Sequence, residues 1–228
     1  RVSGASIADI NEATKEFTTI SRWDYLFTQF RVIATYLRLL FFPINQNLDY
    51  DYPVYDSFSN PNVFLSFVFL VSIICLAVYL LCKSRTSAVR RFTHSPIHQS
   101  LRLIAFGIFW FFITVSIESS FFPIADVIFE HRIYLPSAGG VVAIAAATLY
   151  ISQASIRNRS PFILRFSYLL LCIIVIALSI ASVRRNTSSQ SEIGLWEDVV
   201  NKSPNKARGH YNLGNAYQSN GISDKAME

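Results

Sequence analysis

The sequence predicts an all-α fold, namely a polytopic membrane protein with about four transmembrane helices, an amphipathic interfacial helix and a C-terminal helical hairpin. Three observations support this prediction. Hydrophobic residues make up 52% of the 228 residues and charged residues only 15%, whereas soluble domains are about 25% charged. Long apolar runs recur along the chain, and the charged residues cluster in the segments between them.

Four apolar runs predict the transmembrane helices. A hydrocarbon core of about 30 Å needs roughly 20 apolar residues of helix, and the uncharged runs meet or approach this length once flanking residues are added. A soluble core would need four wholly apolar helices in one small protein, so we expect membrane insertion instead. The predicted spans are about 61–82, 100–117, 134–153 and 163–183.

The positive charges predict which loops face the cytoplasm. The segments 83–102 and 157–165 hold eight basic residues and no acidic residue, and cytoplasmic loops are enriched in Lys and Arg. We therefore expect the acidic loops and the C-terminal tail on the external side, although Arg184 and Arg185 oppose this orientation. The net charge of +5 is then an orientation signal, and we expect no nucleic-acid partner.

The segment 22–42 predicts the amphipathic helix. Its polar residues are spaced four and three apart, which places them in one stripe on a helix, and Pro43 ends it. One interpretation is a helix lying in the membrane interface. The other is that Arg31 and Arg38 bind a lipid phosphate, because guanidinium matches phosphate oxygens in pairs. The stripe consists of Asp24, Thr28, Arg31, Thr35 and Arg38.

The loop after this helix alternates acidic residues with tyrosines. Asp49, Tyr50 and Asp51 stand among further Asp and Tyr residues. Carboxylates beside aromatic faces are typical of a sugar-binding surface, so these three residues are candidates for the acceptor side of a site. Tyrosine is also common at membrane interfaces, and a solvated loop is the alternative.

A second external loop carries charges next to a span. Glu130, His131 and Arg132 are consecutive, and Tyr134 follows. Charged residues at a membrane boundary are functional candidates because they are costly unless paired or hydrated. The alternative is a Glu–Arg pair capping the span. The small residues that follow, including Gly139 and Gly140, predict close helix packing.

Other site types have little support in the sequence. His94 and His98 lie four apart but have no cysteine or carboxylate ligand nearby, so no metal site is predicted. Nucleotide-binding loops and hydrolase triads are absent. The three cysteines fall in apolar runs and predict no disulfide. The chain starts at Arg1 and its one methionine is Met227, so we expect an internal piece of a longer protein.

The C-terminal tail matches the tetratricopeptide pattern. Leu213, Gly214 and Tyr217 stand at the L-G-x-x-Y positions, Gly221 at the turn between helices and Ala226 at the small position of the second helix. A stable array usually needs three or more repeats, so we expect further repeats in the whole protein.

These signals divide the chain into four parts. We expect an external amphipathic helix and loop over 1–60, a transmembrane bundle over 61–183, a linker over 184–194 and the start of a tetratricopeptide array over 195–228.

Together, these features resemble one family. The segments TQFRVIATYLRLLFFP (28–43), LDYDY (48–52) and EHRIYLPSAG (130–139), combined with spans that lead into a repeat, resemble the transmembrane and tetratricopeptide-repeat O-mannosyltransferases and their bacterial relatives. His131 is an insertion relative to the usual acidic–basic spelling of that element.

The resemblance implies a membrane glycosyltransferase of the GT-C type. It would transfer a sugar from a polyprenyl-phosphate donor on the external side of a bacterial inner membrane or an ER membrane. Glu130, Arg132 and Tyr134 would line the donor side, while the catalytic residue is expected upstream of this chain. No cofactor is identified, and the need for a divalent cation is undetermined. The repeats would bind an acceptor protein or another partner; the alternative is a non-catalytic, membrane-anchored repeat scaffold.

Overall fold

A computed structural model describes residues 20–90, 96–119, 126–158, 161–188 and 191–222. The regular secondary structure in these ranges is entirely helical, which confirms the predicted all-α class. A short 3-10 turn, Glu130–Ile133, precedes the fourth long helix. The helices are α1 Arg22–Phe41, α2 Pro61–Arg90, α3 Pro96–Glu118, α4 Tyr134–Arg157, α5 Pro161–Ser188, α6 Glu192–Lys202 and α7 Ala207–Ser219.

Four helices in the described ranges are long and apolar enough to cross a membrane, so the chain is a membrane protein. The last span belongs to α5, which continues as helix to Ser188. The predicted linker over 184–194 therefore begins inside this helix. The candidate spans are Pro61–Arg85, Ile97–Ile117, Glu130–Ile156 and Pro161–Asn186.

Helix α1 begins at a capping serine and packs against α2. The Ser21 hydroxyl accepts a hydrogen bond from Asp24 N at 3.1 Å, which satisfies one of the free N–H groups of the first turn. The predicted polar stripe is partly covered by the following loop instead of lying open at the membrane interface. Thr28 is fully buried and accepts from Tyr55 N at 2.9 Å, and Thr35 Oγ1 lies 3.0 Å from the Tyr52 hydroxyl.

An apolar core joins the first three helices. Because lipid tails are as apolar as these side chains, the part of the core within the membrane is held together by van der Waals packing and gains little from the hydrophobic effect. The core also includes Ile128 from the loop before α4, so this loop is held against the bundle. Its buried members are Val32, Ile33, Tyr36, Leu70, Phe111, Val115 and Ile128.

Helices α3 and α4 cross in backbone contact. A Cβ atom added to Gly139 would lie 2.5 Å from Gly107 O, and one added to Gly107 would collide with Gly139 O. Trp110 Nε1 donates to Leu135 O at 3.1 Å beside this crossing. The close packing predicted from the small residues of α4 is thus confirmed at Gly139.

Helices α6 and α7 form an antiparallel hairpin. The Tyr217 hydroxyl donates to Glu197 Oε1 at 2.6 Å, and Gly209 packs on Val199, where an added Cβ would approach Val199 Cγ1 to 3.2 Å. Gly221, with φ of 75°, ends the hairpin in the left-handed conformation that favours glycine. The first four residues of the repeat signature lie on or just after α7, and Ala226 lies outside the described residues.

Candidate functional site at the loop junction

Three segments that are far apart in sequence meet at one end of the bundle. They are the loop after α1, the segment leading into the 3-10 turn, and the chain between α6 and α7. Direct hydrogen bonds join Asn47 to both Glu130 and Ser203, and Asp126 to Arg208. The two predicted external loops and the tail therefore lie at the same end of the bundle. We call this region the loop junction.

Glu130 is held by the loop after α1. Its Oε1 accepts from Asn47 N and from the Tyr50 hydroxyl, both at 2.7 Å. Burial, followed by the hydrogen bond to Glu130 and its charge, raises the pKa of Tyr50. The phenol therefore stays protonated and donates to Glu130 at physiological pH. This contact joins a donor-side candidate to an acceptor-side candidate, which the sequence placed on separate sides of a site.

The remaining donor-side candidates next to Glu130 have different surroundings. Arg132 is buried, and its guanidinium carbon lies 5.2 Å from the centre of the Phe129 ring. His131 is exposed and its ring centre lies 5.0 Å from the same phenylalanine. Tyr134, at the start of α4, is 79% exposed. The 3-10 turn and the first residue of α4 thus combine one buried cation, Arg132, with two exposed side chains, His131 and Tyr134.

The two arginines of the α1 stripe lie apart from this turn. Arg38 Nη1 donates to Ile44 O at 3.0 Å and so fixes the chain just after the helix. Arg31 lines a pocket of about 290 Å³ between α1 and α2, together with Asn62 and Ser66. Both positive charges act on the tyrosines of the loop, since Arg38 lowers the pKa of Tyr50 and Arg31 that of Tyr52, although burial dominates and raises both.

Two aspartates of the loops bind two cations of the tail. Arg208 Nε donates to Asp49 at 2.6 Å, and its two terminal nitrogens bind both oxygens of Asp126 at 2.9 and 3.1 Å. Lys206 Nζ lies 2.9 Å from Asp49 and 3.4 Å from Asp126. We call these four residues the ion-pair cluster. The Asp49 side chain is only 3% exposed, so its charge depends on these partners.

The cluster keeps its carboxylates ionised. Burial raises the pKa of Asp49, but the hydrogen bonds and charges of Arg208 and Lys206 outweigh burial, so the pKa lies below its ordinary value. The hydrogen bond to Asp49 raises the pKa of Arg208 against the effect of desolvation. Asp49 is therefore occupied by the tail and not by an acceptor, as long as the hairpin stays docked.

Asn47 and Ser203 form a second, uncharged contact between loop and hairpin. Asn47 is 2% exposed and Ser203 is 1% exposed. Asn47 Nδ2 donates to Ser203 Oγ at 2.8 Å and to Asp49 O at 2.9 Å, and Ser203 Oγ accepts from Asp51 N at 2.9 Å. Asp51 is itself exposed, and its carboxylate accepts from Asn205 Nδ2 at 3.4 Å.

The cavities near the loop junction differ in size and character. A polar pocket of about 60 Å³, lined in part by Tyr50, Asp51, Asp126 and Lys206, has room for one or two waters and not for a sugar. An apolar cavity of about 280 Å³ lies deeper in the bundle between α1, α3 and α4. Among the described residues no group of three or more His, Cys, Asp or Glu side chains converges as metal ligands.

Sequence reasoning missed Lys206, Arg208, Asn47 and Ser203 as members of this junction. A signal for the ion pairs was present, since the predicted orientation put acidic loops and a tail with several basic residues on one side. The pairing itself joins residues 159 positions apart in the case of Asp49 and Arg208, and no local pattern specifies such a contact.

The fold and the loop junction define a polytopic α-helical membrane protein whose C-terminal hairpin is docked on the loops at one end of the bundle. Over 107 residues, or 47% of this chain, it is 30% identical to the Protein O-mannosyl-transferase Tmtc2 of Drosophila melanogaster. The chain spans 11% of the length of that relative. No family model and no solved structure matches the chain. This partial similarity agrees with the expected resemblance over less than half of the chain.

Proposed function

We propose that this chain is part of a membrane glycosyltransferase that transfers a sugar from a polyprenyl-phosphate donor to a protein or glycan acceptor on the external side of the membrane. The observation that carries the proposal is the 3-10 turn at the start of a span, where Glu130 and a buried Arg132 lie two residues apart and Tyr50 donates to Glu130. The partial similarity to a protein O-mannosyltransferase supports it.

The reaction exchanges one bond at the sugar carbon for another. The bond from the anomeric carbon to the phosphate oxygen breaks, a bond to the acceptor hydroxyl oxygen forms, and the polyprenyl phosphate leaves. The acceptor proton passes to a base that we place upstream of this chain. Arg132 stabilises the developing phosphate charge, and Glu130, held by Tyr50 and Asn47, fixes the turn that carries Arg132.

The hairpin would be the first part of a tetratricopeptide array that binds the acceptor or a partner protein. Such repeats stack into a groove that holds extended chains. The contacts of Arg208 with Asp49 and Asp126 support this proposal, because they hold the hairpin at the loop junction, which also contains the turn that carries Arg132. An acceptor bound by the array would thus be delivered near the donor phosphate.

The test uses the full-length protein in nanodiscs with a labelled polyprenyl-phosphate sugar, beginning with mannose. Arg132→Ala and Glu130→Gln should each lower transfer by about tenfold or more, because the charge at the leaving phosphate or the position of the turn is lost. Arg165→Ala, the same change at the other end of the bundle, and Glu192→Gln, an exposed acid of α6, serve as matched controls. Wild-type transfer by both test variants would refute the site.

A non-catalytic repeat scaffold is the second candidate, and the ion-pair cluster favours it. Two acidic residues of the loops, Asp49 and Asp126, hold the hairpin through ion pairs, as a scaffold would need. A scaffold would show no transfer with any donor and would bind its partner equally well with Arg132→Ala. The same full-length preparations distinguish the two functions.

A further inference from the structure

A surface pocket of about 350 Å³ lies between the end of α5, the C-terminal half of α6 and the chain after α1. It contains none of the residues of the ion-pair cluster or of the 3-10 turn. One part of its wall is apolar and includes Ile180 and Ala181, and the other part is charged and includes Arg184, Arg185, Asp198 and Lys202.

The charged part of the wall is strongly positive. Three of its ionised side chains are cations and one is an anion, so the pocket has an excess of two positive charges. Asp198 accepts from Arg185 at 3.3 Å and from Lys202 at 2.6 Å. A single carboxylate shared by two cations neutralises only part of their charge. This distribution suits an anionic ligand.

The apolar part of the wall belongs to a membrane span. Ile180 and Ala181 lie in the last turns of the span Pro161–Asn186, whose most apolar stretch has no residue buried inside the protein. In a bilayer most of this helix faces lipid, while one side packs against α4, where the Tyr168 hydroxyl lies 3.2 Å from Ser152 Oγ. The pocket therefore opens to hydrocarbon at Ile180 and to the membrane surface at Arg184. A phospholipid has the same order of apolar and polar groups where its acyl chains join the headgroup.

We propose that this pocket binds the phosphate headgroup of an anionic membrane phospholipid. Arg184 and Arg185 contact the phosphate oxygens, for which guanidinium has the matching geometry, while Lys202 contributes charge and the upper acyl carbons lie against Ile180 and Ala181. The proposal also gives a reason for two arginines at the end of α5, which oppose the orientation expected from the other basic loops. It does not rest on the proposed transferase activity.

The experiment measures lipid retained by the full chain. The protein is purified from nanodiscs of phosphatidylcholine with or without phosphatidylglycerol, and bound lipid is counted by native mass spectrometry. Wild-type protein should retain phosphatidylglycerol in preference to phosphatidylcholine. The double change Arg184→Gln with Arg185→Gln should reduce this retention about tenfold, since each cation near the membrane surface contributes a few-fold. Arg165→Gln, at the other end of the same helix, should retain lipid as the wild type does.

A second variant tests the pocket without changing its charge. Ala181→Leu fills the apolar part and should also reduce retention, while circular dichroism shows that the helices persist. Inorganic phosphate at millimolar concentration should not displace the lipid; displacement would show a site for free phosphate and would overturn the proposal. Equal retention by the wild type, the double variant and Ala181→Leu would also overturn it.

Discussion

Arg208 and Asp49 lie 2.6 Å apart, although 159 residues separate them in sequence. The same guanidinium binds both oxygens of Asp126, so one side chain of the hairpin joins two loops of the membrane part. Pairs with this forked geometry are stronger and more directional than single ion pairs. Arg208 therefore links the hairpin to both loops at once.

The first prediction concerns the pair Arg208–Asp126. Arg208→Gln and Asp126→Asn should each release the hairpin from the loops, and the two changes together should cost less than the sum of the single changes. We expect a coupling energy of about 0.5–3 kcal/mol, as for residues in direct contact. Hydrogen exchange of the amides of α7, measured on the full-length protein in all four combinations, gives this energy. Strict additivity would contradict the direct pair.

The second prediction is a loss of docking at low pH. Because the folded pKa of Asp49 lies below the ordinary value of 3.8, its contribution to docking is complete above about pH 4 and is lost as the pH falls through the lower folded value. Fluorescence energy transfer between labels at exposed positions 57 and 219 should therefore stay constant from pH 7 to pH 4 and fall below that. In Asp49→Asn the fall in energy transfer below pH 4 should be smaller. A fall as large as that of the wild type would show that other carboxylates cause it.

The third prediction concerns the uncharged contact. Asn47→Ala removes the donor to Ser203 Oγ and to Asp49 O, both in buried surroundings, and should destabilise the docked loop by about 1–3 kcal/mol. Limited proteolysis of the loop after α1 measures this change. Gln46→Ala is the matched control, because Gln46 contacts Lys202 through its backbone carbonyl, which the substitution leaves in place. Faster cleavage in the control alone would contradict the assignment.

The fourth prediction concerns the crossing of α3 and α4. An alanine in place of glycine normally stabilises a helix by about 1 kcal/mol, but Gly139→Ala should destabilise the bundle, because the new Cβ would lie 2.5 Å from a backbone oxygen of α3. The cost of overpacking is about 1–3 kcal/mol. Thermal unfolding in detergent tests the sign. Ala145→Leu, on an exposed position of α4, adds more volume and should leave the midpoint nearly unchanged.

The fifth prediction concerns sidedness. In a variant without the three native cysteines, Ser57→Cys and Ser219→Cys should react with a membrane-impermeant reagent from the external side, and Asn158→Cys only after permeabilisation. The basic loops set this expectation, and the loop junction requires that positions 57 and 219 share one side. Labelling of all three positions from one side would refute the orientation.

The helical fold class and the membrane spans were predictable because they depend on local composition. A run of apolar residues about 20 long specifies a span whatever its neighbours are, and Gly139 was identified from the small residues around it. The burial of the polar stripe of α1 was not predictable. Thr28 and Thr35 form hydrogen bonds with Tyr55 and Tyr52 of the following loop. A helical pattern does not show which loop will fold back on the helix.

The sequence identified several residues of the candidate site, but it did not predict which of them form hydrogen bonds or ion pairs with one another. Glu130 and Tyr50 were both identified, but their hydrogen bond joins two loops 80 residues apart. Asp49 was expected on the acceptor side because it stands among tyrosines, yet its nearest charges come from the tail. Such contacts depend on how the spans bring their loops together, which composition does not determine.

The position of Arg208 also sets the path of a mechanical load through the molecule. Tension applied beyond Ser219 enters α7 and divides between α6, through Tyr217 and Glu197, and the loops, through Arg208. The part that reaches Arg208 passes to Asp49 and Asp126 and so to the loops of the membrane part, in parallel with the path through α6 to α5. A pull on the chain beyond α7 would thus load the loops as well as the helix that tethers the hairpin.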